Sequence, residues 1–558
     1  MEGFKRHLIA CSALLLLASA WSDQPVRSKA PQEAVEAWKD LRFGMFIHWG
    51  PVALTGHEIG WSRGSQTPIE EYDNLYKRFN PKNFDADEWV RVAKAAGMKY
   101  MVLTTKHHDG FCLWPSEYTD YDIGETPFKR DVVGELAEAC RKGGIGFGTY
   151  YSVCDWWHPL YPKGGRAGSE DKPAGDMDKY IEYLQNQTAE LIKNYGPLTT
   201  MWFDVPRDVK ARHNEPTLEM MRKLQPNLVV NNRAYYDENV ADYETPEQNL
   251  GIFNNKRPWE TCMTIARQWA WKPNDPVKSL EQCLHGLIFS IGGDGNFLFN
   301  VGPNALGEIE PEQVARLKEM GEWISNYADG IHATRGGPFK PSGWGASTHK
   351  GKAIYLFIAR WPANGIHTLP MTGKILKAEN LSGKEATLKQ TANGYELSVP
   401  AEDRDPIATV VKLTVDAPAG SIEPMDMGSV TGSLTFRKPS TASSVRWNQH
   451  DFQGPHQAFD DNPGSHWVPS GKQEEWLAVD LEKPQTVDRI KILQYAAYLK
   501  ELSLQYEQDG EWKTIFSADE VTGDLEKPFS PVTAQKFRLL LKDGHTHLSE
   551  FQLYRNVP

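Results

Sequence analysis

Gly196-Pro-Leu-Thr-Thr-Met-Trp-Phe-Asp204 is the stretch on which the fold turns. Gly196 and Pro197 stop a helix, and a short apolar run of strand-forming residues follows, ending in an aromatic pair and one carboxylate. A buried strand that delivers an acid at its C-terminal tip is how a parallel α/β barrel presents a catalytic group. The plainer alternative makes Asp204 an N-cap opening the next helix, with Pro206 two residues on. The strand-tip reading is preferred because several strand ends upstream carry the same kind of polar residue.

Working outward, Leu41 to Gly50 reads as a first strand ending at His48. Asp85 with Glu88 forms a capping-box pattern, and Trp89, Val92, Ala93 and Ala96 follow at helical spacing up to Gly97. The strand Tyr100 to Thr105 runs into Lys106-His107-His108-Asp109-Gly110-Phe111. A helix from Asp131 ends at Gly143-Gly144, and Ile145 to Ser152 is the third strand. A helix containing Tyr180, Leu184, Leu191 and Ile192 leads into the Asp204 strand. Leu228 to Arg233 is a fifth strand, Gly295 to Val301 the last, and a helix covers about Glu310 to Tyr327. Strand–helix alternation at this rhythm means right-handed crossovers and a parallel sheet. Polar residues at every strand end favour a (β/α)8-like barrel over an open sheet.

From about Gly337 the hydrophobic period changes to two, as in Ala353 to Ile358 and Thr409 to Thr414, and helices vanish. The fold class is therefore α/β: a (β/α)8-like barrel over residues 30–336, an antiparallel β-sandwich over 337–416, a linker over 417–427 containing Ala417-Pro-Ala-Gly-Ser-Ile-Glu-Pro424, and a second all-β domain over 428–558. The linker marks that last unit as separately folded and dispensable for chemistry.

The 558 residues allow three or four domains, and a net charge of −12 without a basic cluster excludes a nucleic-acid partner. Lys5 and Arg6, an apolar run and Ala18-Ser19-Ala20 form a signal peptide over residues 1–20, so the protein is expected to be secreted or periplasmic. Leu8-Ile-Ala-Cys11 is similar to a lipoprotein signal, but most of the apolar run follows Cys11. No other stretch reaches the ~20 apolar residues of a membrane span. Cys112, Cys140, Cys154, Cys262 and Cys283 would remain in the mature chain; none forms a Cys-x-x-Cys pair, so zinc is not expected and at least one thiol is free.

Three motifs combine into a family signature: Phe46-Ile-His-Trp-Gly50, His107-His-Asp-Gly-Phe111 and Trp202-Phe-Asp204. Together they resemble glycoside hydrolase family 29, the retaining α-L-fucosidases. Asn232-Arg233, Asp242-Tyr-Glu-Thr-Pro-Glu247, Trp259-Glu260 and Gly292-Gly293 through Pro303 support the likeness, which covers about Trp38 to Thr334. The resemblance implies hydrolysis of terminal α-L-fucose from fucosylated glycans without a catalytic cofactor. Two carboxylates perform it, about 5–5.5 Å apart. Asp204 matches the nucleophile. For the acid/base, Glu260 ranks first, since the Trp before it could desolvate it and raise its pKa, with Asp242 and Glu244 as alternatives. His48, His107 and His108 would bind ring hydroxyls, since neutral imidazoles both donate and accept. Tyr150, Trp202 and Arg233 match further pocket positions, Trp61 an aromatic beside the sugar's methyl, and Glu58 is the acid nearest Trp61.

Two positions depart from the family pattern. Val205-Pro206 follow Asp204 where Gly is common, and Gly60 precedes Trp61 where many members have Glu. They bear on substrate preference: L-galactose adds only a hydroxyl to that methyl, so an α-L-galactosidase is the second reading. A non-catalytic glycan-binding protein is the third, and the intact Asp204 argues against it.

The C-terminal segment resembles discoidin (factor 5/8 type C) domains and carbohydrate-binding module family 32. The carriers are Thr441-Ala-Ser-Ser444, Ala458-Phe-Asp-Asp-Asn462 with Ser465 and Trp467, Trp476 to Leu481, and Glu550-Phe-Gln-Leu-Tyr554. The resemblance implies a structural Ca2+, for which Asp460, Ser465 and Glu550 are oxygen ligands; a metal-free turn is the alternative.

Overall fold

Seven parallel strands bring the polar tips to one end of the barrel: β1 (Phe43–Ile47), β2 (Tyr100–Lys106), β3 (Gly146–Ser152), β4 (Thr200–Asp204), β5 (Val229–Val230), β6 (Glu260–Thr264) and β7 (Asn296–Val301). The computed structural model describes residues 29–162, 175–207, 209–234, 241–250, 252–446 and 449–555; the expected signal peptide lies outside them. The strand order is β5-β4-β3-β2-β1-β7-β6. Residues 243–247 close the ring between its edges through single bridges, Asn231 to Tyr243, Glu244 to Trp259 and Glu247 to Cys262. The closing backbone bonds are Glu260 N to Glu244 O at 2.8 Å and Gln248 N to Cys262 O at 3.0 Å.

Every residue of β1 is buried, as a strand covered on both faces must be. β5 is shorter than the expected Leu228–Arg233 because Asn231 turns its side-chain amide to the backbone of Phe203, giving Nδ2 to its carbonyl and taking its N–H. The crossover helices start where the sequence places caps. Asp85 accepts from Glu88 N ahead of Ala86–Ala95, and Asp131 from Gly134 N ahead of Val132–Gly143, caps that contribute about 1 kcal/mol each. Phe46, Tyr100, Val102, Tyr150, Trp202, Tyr243, Cys262 and Leu298 fill the barrel interior. Helix Gln32–Leu41 plugs the closed end with Trp38, whose ring lies 4.2 Å from that of Tyr243. All five described cysteines are buried free thiols.

Beyond the barrel, a five-stranded and a three-stranded antiparallel sheet enclose Trp344, Leu356, Leu397 and Val411. The last all-β unit is built mainly from two long, repeatedly bent strands, Glu474–Gln508 and Leu525–Tyr554, paired antiparallel. The segment expected to be a linker is packed rather than loose. Ala419 is fully buried, and Met425 exchanges backbone bonds with Pro338 and Lys340. The C-terminal unit then rests on its neighbours: Gly343 N donates to Asp460 O, Arg437 to Pro341 O, and Asn249 Nδ2 to Phe452 O.

Candidate active site

Asp204 ends β4 at the open end of the barrel. Its Oδ2 accepts from the Tyr150 hydroxyl at 2.9 Å, and its Oδ1 from Arg233 Nη1 at 2.9 Å. Burial pushes its pKa up, but the Arg233 charge and these two hydrogen bonds outweigh it and hold the carboxyl below its usual range. It is thus an anion at neutral pH, yet 14% exposed. The next residue, Val205, has φ of 47°. That left-handed backbone suits glycine, and a β-branched residue held there costs about 1–3 kcal/mol. The turn after Asp204 therefore keeps the backbone that the family's common Gly would adopt.

Hydrogen bonding fixes the imidazole tautomers. Asn300 spends its Nδ2 on Trp269 O, so its Oδ1, 2.6 Å from His48 Nδ1, must accept. Ser152 Oγ donates to Cys154 O, so the 2.7 Å contact with His108 Nδ1 is a donation from the imidazole. Both rings thereby keep Nε2 as an acceptor, and His108 Nε2 lies 3.8 Å from Asp204 Oδ2. Burial lowers the pKa of His48 to about 3 and of His108 to about 4, and lowers that of His107 as well. The cluster is neutral under ordinary conditions. His107 stacks on Tyr150 at 5.4 Å, and its buried Nδ1 has no hydrogen-bond partner among the described residues.

Aromatic rings enclose the cluster. Trp202 stacks on Tyr150 at 5.4 Å beneath the Arg233 guanidinium, 4.9 Å from the indole. Trp61 meets His108 at 5.1 Å and Trp156 at 5.3 Å. Trp269, not anticipated from the sequence, stands 4.9 Å from His48. Gly60 has a physical reason: a Cβ there would lie 2.8 Å from His107 Nδ1, and its φ is +65°. A glutamate at this position would displace the imidazole.

His48, Trp61, His107, His108, Tyr150, Trp202, Arg233 and Asp204 thus converge, but the other carboxylates expected at the site lie elsewhere. Glu260 begins β6 at the closed end, fully buried, taking hydrogen bonds from Trp202 Nε1 at 3.1 Å and from the Tyr100 hydroxyl. Asp242 accepts from Ala30 N and Val230 N and pairs with Arg222. Glu244 is buried against Arg257 at 2.6 Å. Glu58 accepts from Ile59 N and Ala270 N on Oε1 and from Trp269 N on Oε2, so it ties two loops together. Adjacency to Trp61 in sequence could not reveal those distant amides.

The carboxylate that does face Asp204 is Glu247. It is 43% exposed, and its Oε2 is 3.1 Å from Arg233 Nη1, the atom that also contacts Asp204 at 2.9 Å. Asp204 Oδ1 and Glu247 Oε2 are therefore at most about 6 Å apart, which admits the ~5–5.5 Å of a retaining pair. Its signal in the sequence is weak: Glu247 sits on the irregular closing segment after Pro246, where no strand period marks a tip.

In the C-terminal unit, Asp460 and Glu550 are buried and share a side-chain hydrogen bond, with Ser465 Oγ 2.9 Å from both Asp460 carboxylate oxygens. Burial pushes Asp460 up to about 6, against the pull of Arg437, and pushes Glu550 well up, with Asp460 adding to it. Glu550 Oε1 makes no hydrogen bond among the described residues. Paired buried carboxylates with an orphaned oxygen fit an oxygen-seeking cation. Among the described residues no three His, Cys, Asp or Glu side chains gather to hold a metal, so backbone carbonyls would have to complete such a site.

A family model for alpha-L-fucosidase matches residues 15–329, and one for the F5/8 type C domain matches residues 439–553. The tissue alpha-L-fucosidase of Bos taurus is 31% identical over 64% of this chain and 82% of its own. Among solved structures, alpha-L-fucosidase isoenzyme 1 from Paenibacillus thiaminolyticus is 35% identical with a TM-score of 0.64, covering 69% of this chain and 99% of its own. A glycoside hydrolase family 29 alpha-L-fucosidase from Bacteroides thetaiotaomicron, trapped as a covalent intermediate with 2-fluoro-fucosyl fluoride, is 29% identical with a TM-score of 0.63, covering 71% and 100%.

Proposed function

We infer the reaction on one premise: this chain belongs to the alpha-L-fucosidase family, glycoside hydrolase family 29. It is a retaining exo-α-L-fucosidase acting on fucosylated glycans. The observation that carries the residue roles is the sharing of Arg233 Nη1 by Asp204 and Glu247.

Asp204 attacks the anomeric carbon as the glycosidic C–O bond breaks, and Glu247, protonated, gives its proton to the departing oxygen. The resulting glycosyl ester is opened by water, from which the Glu247 carboxylate takes a proton, and Asp204 leaves as an anion. Two inversions give net retention. Tyr150 and Arg233 keep Asp204 ionised for the attack, while the Nε2 atoms of His48 and His108 accept from sugar hydroxyls. The Trp61 face suits the apolar methyl of fucose, which favours L-fucose over L-galactose. Glu260, the first sequence-based choice, serves instead as an anchor for the Trp202 indole.

The test is hydrolysis of a chromogenic α-L-fucoside beside the matching L-galactoside, with the product anomer followed by NMR. Preferential release of α-L-fucose supports the reading; inversion, or faster turnover of the galactoside, contradicts it. We further propose that residues 1–20 direct secretion or periplasmic export, and that Asp460, Ser465 and Glu550 hold Ca2+. Among the described residues no helix is long and apolar enough to cross a membrane. Removing divalent cations with EDTA should lower the melting temperature of the full chain, and added Ca2+ should restore it. Equal melting with and without chelator would leave the pair as a protonated carboxyl–carboxylate.

A further inference from the structure

Glu247 is carried by the least regular part of the barrel wall. Where β1 to β4 are held by ladders of at least four paired residues each, residues 243–247 meet their neighbours through isolated bridges. The segment around Glu247 is nonetheless gripped on both sides by the C-terminal unit. Three residues before it, Glu244 pairs with Arg257 Nη1 at 2.6 Å, and Arg257 Nη2 reaches Asp451 at 2.7 Å. Two residues after it, Asn249 Nδ2 donates to the Phe452 carbonyl, while Asn249 O accepts from Thr261 Oγ1 of β6 at 2.9 Å. Between these grips the Phe452 ring, 8% exposed, packs on Ile252 and Trp259, the residue just before β6. Asp451 and Phe452 belong to one short helical turn, His450–Gln453.

We propose that Asp451 and Phe452 are positioning residues for the acid/base: the C-terminal unit braces the barrel-closing segment so that Glu247 is held opposite Asp204. This rests on the assignment of Glu247 as acid/base. The unit is then part of the catalytic apparatus, contrary to the dispensable module that the Ala417–Pro424 stretch implies. The geometry is suited to the task because proton delivery falls steeply with misplacement, a displacement of about 1 Å costing up to ~100-fold. The brace also explains why the linker is packed: a freely tethered unit could not fix the angle of the turn that holds the segment.

The experiment uses the full-length protein carrying Asp451→Ala and Phe452→Ala together, with Phe452→Leu as the conservative comparison and Glu247→Ala measured alongside. Each is assayed on an alkyl α-L-fucoside, whose leaving group needs a proton, and on an aryl fucoside with an acidic phenol, which does not. The double variant, folded by near-UV circular dichroism, should lose about tenfold or more in kcat/KM on the alkyl substrate and less than about threefold on the aryl one, with Phe452→Leu near wild type. Equal losses on both substrates, or none on either, while Glu247→Ala keeps its leaving-group dependence, would overturn the brace alone. A Glu247→Ala variant without leaving-group dependence would overturn the acid/base assignment and the brace with it. A double variant that fails to fold is replaced by Asn249→Ala, which removes one grip from the barrel side and carries the same two expectations.

Discussion

Two glutamates touch β6 and have opposite fates. Glu260 opens the strand at the closed end of the barrel, has no exposed surface, and is pushed up to about 8 by burial, against hydrogen bonds from Tyr100 and Trp202. Glu247 bridges to Cys262 two residues further along, is 43% exposed and faces Arg233. A few residues of position along a parallel strand thus separate a neutral packing group from a group that can meet substrate. The Trp259-Glu260 pair does mark a carboxyl with a raised pKa, as desolvation demands, but desolvation alone does not place a group at the mouth. In a barrel the chemistry belongs to the C-terminal tips.

The largest effect is expected at the mouth of the barrel. Asp204→Ala should lose roughly three or more orders of magnitude in kcat with the fold intact, and azide should return part of the turnover by replacing the missing nucleophile. Activity near wild type would remove Asp204 from the reaction.

A smaller effect separates the two ends by pH. His48 and His108 have folded pKa values of about 3 and 4 against an ordinary 6.5, so the unfolded chain binds more protons between these limits. Their contribution is lost as pH falls from about 6.5 toward 4. Glu260 runs the other way. Its pKa is raised from 4.5 to about 8, so its contribution is complete below pH 4.5 and lost as pH rises toward 8. Melting temperatures of Glu260→Gln and wild type should therefore diverge in favour of the variant as pH climbs through that window. Parallel curves would mean that Glu260 is ionised in the folded protein.

The smallest expected effect is on catalysis by the floor glutamate. Glu260→Gln keeps an acceptor for Trp202 Nε1, so kcat/KM should stay within about threefold of wild type on any leaving group. A large, leaving-group-dependent loss would restore Glu260 to the role its motif implied.

Much of this pocket is legible from the chain because its residues follow recognisable strands. The apolar runs place His48, His107, His108 and Asp204 at strand ends, and the family resemblance supplies Tyr150 and Trp202 as further pocket residues. Arg233 too comes from the resemblance, since it lies beyond a β5 that is shorter than its pattern. What resisted reading depends on contacts between distant segments. Glu58 is occupied by the amides of Trp269 and Ala270, and Asp242 by Ala30 N and Arg222. Glu247 escaped because Thr245 and Pro246 give its segment no period, and the segment becomes a strand substitute only between β5 and β6. The brace by Asp451 and Phe452 joins residues some 200 positions apart in sequence, beyond any local pattern.

Leaving-group dependence decides whether Glu247 or Glu260 is the acid/base partner of Asp204. Glu247→Ala and Glu260→Gln are each assayed across a series of aryl and alkyl α-L-fucosides of rising leaving-group pKa. Glu247→Ala should show a steep fall in kcat/KM as the leaving group becomes more basic, about 100-fold or more between the extremes relative to wild type, and azide should rescue turnover of the activated substrates. Glu260→Gln should give the wild-type slope. The reverse pattern, a flat profile for Glu247→Ala and a steep one for Glu260→Gln, would contradict the assignment.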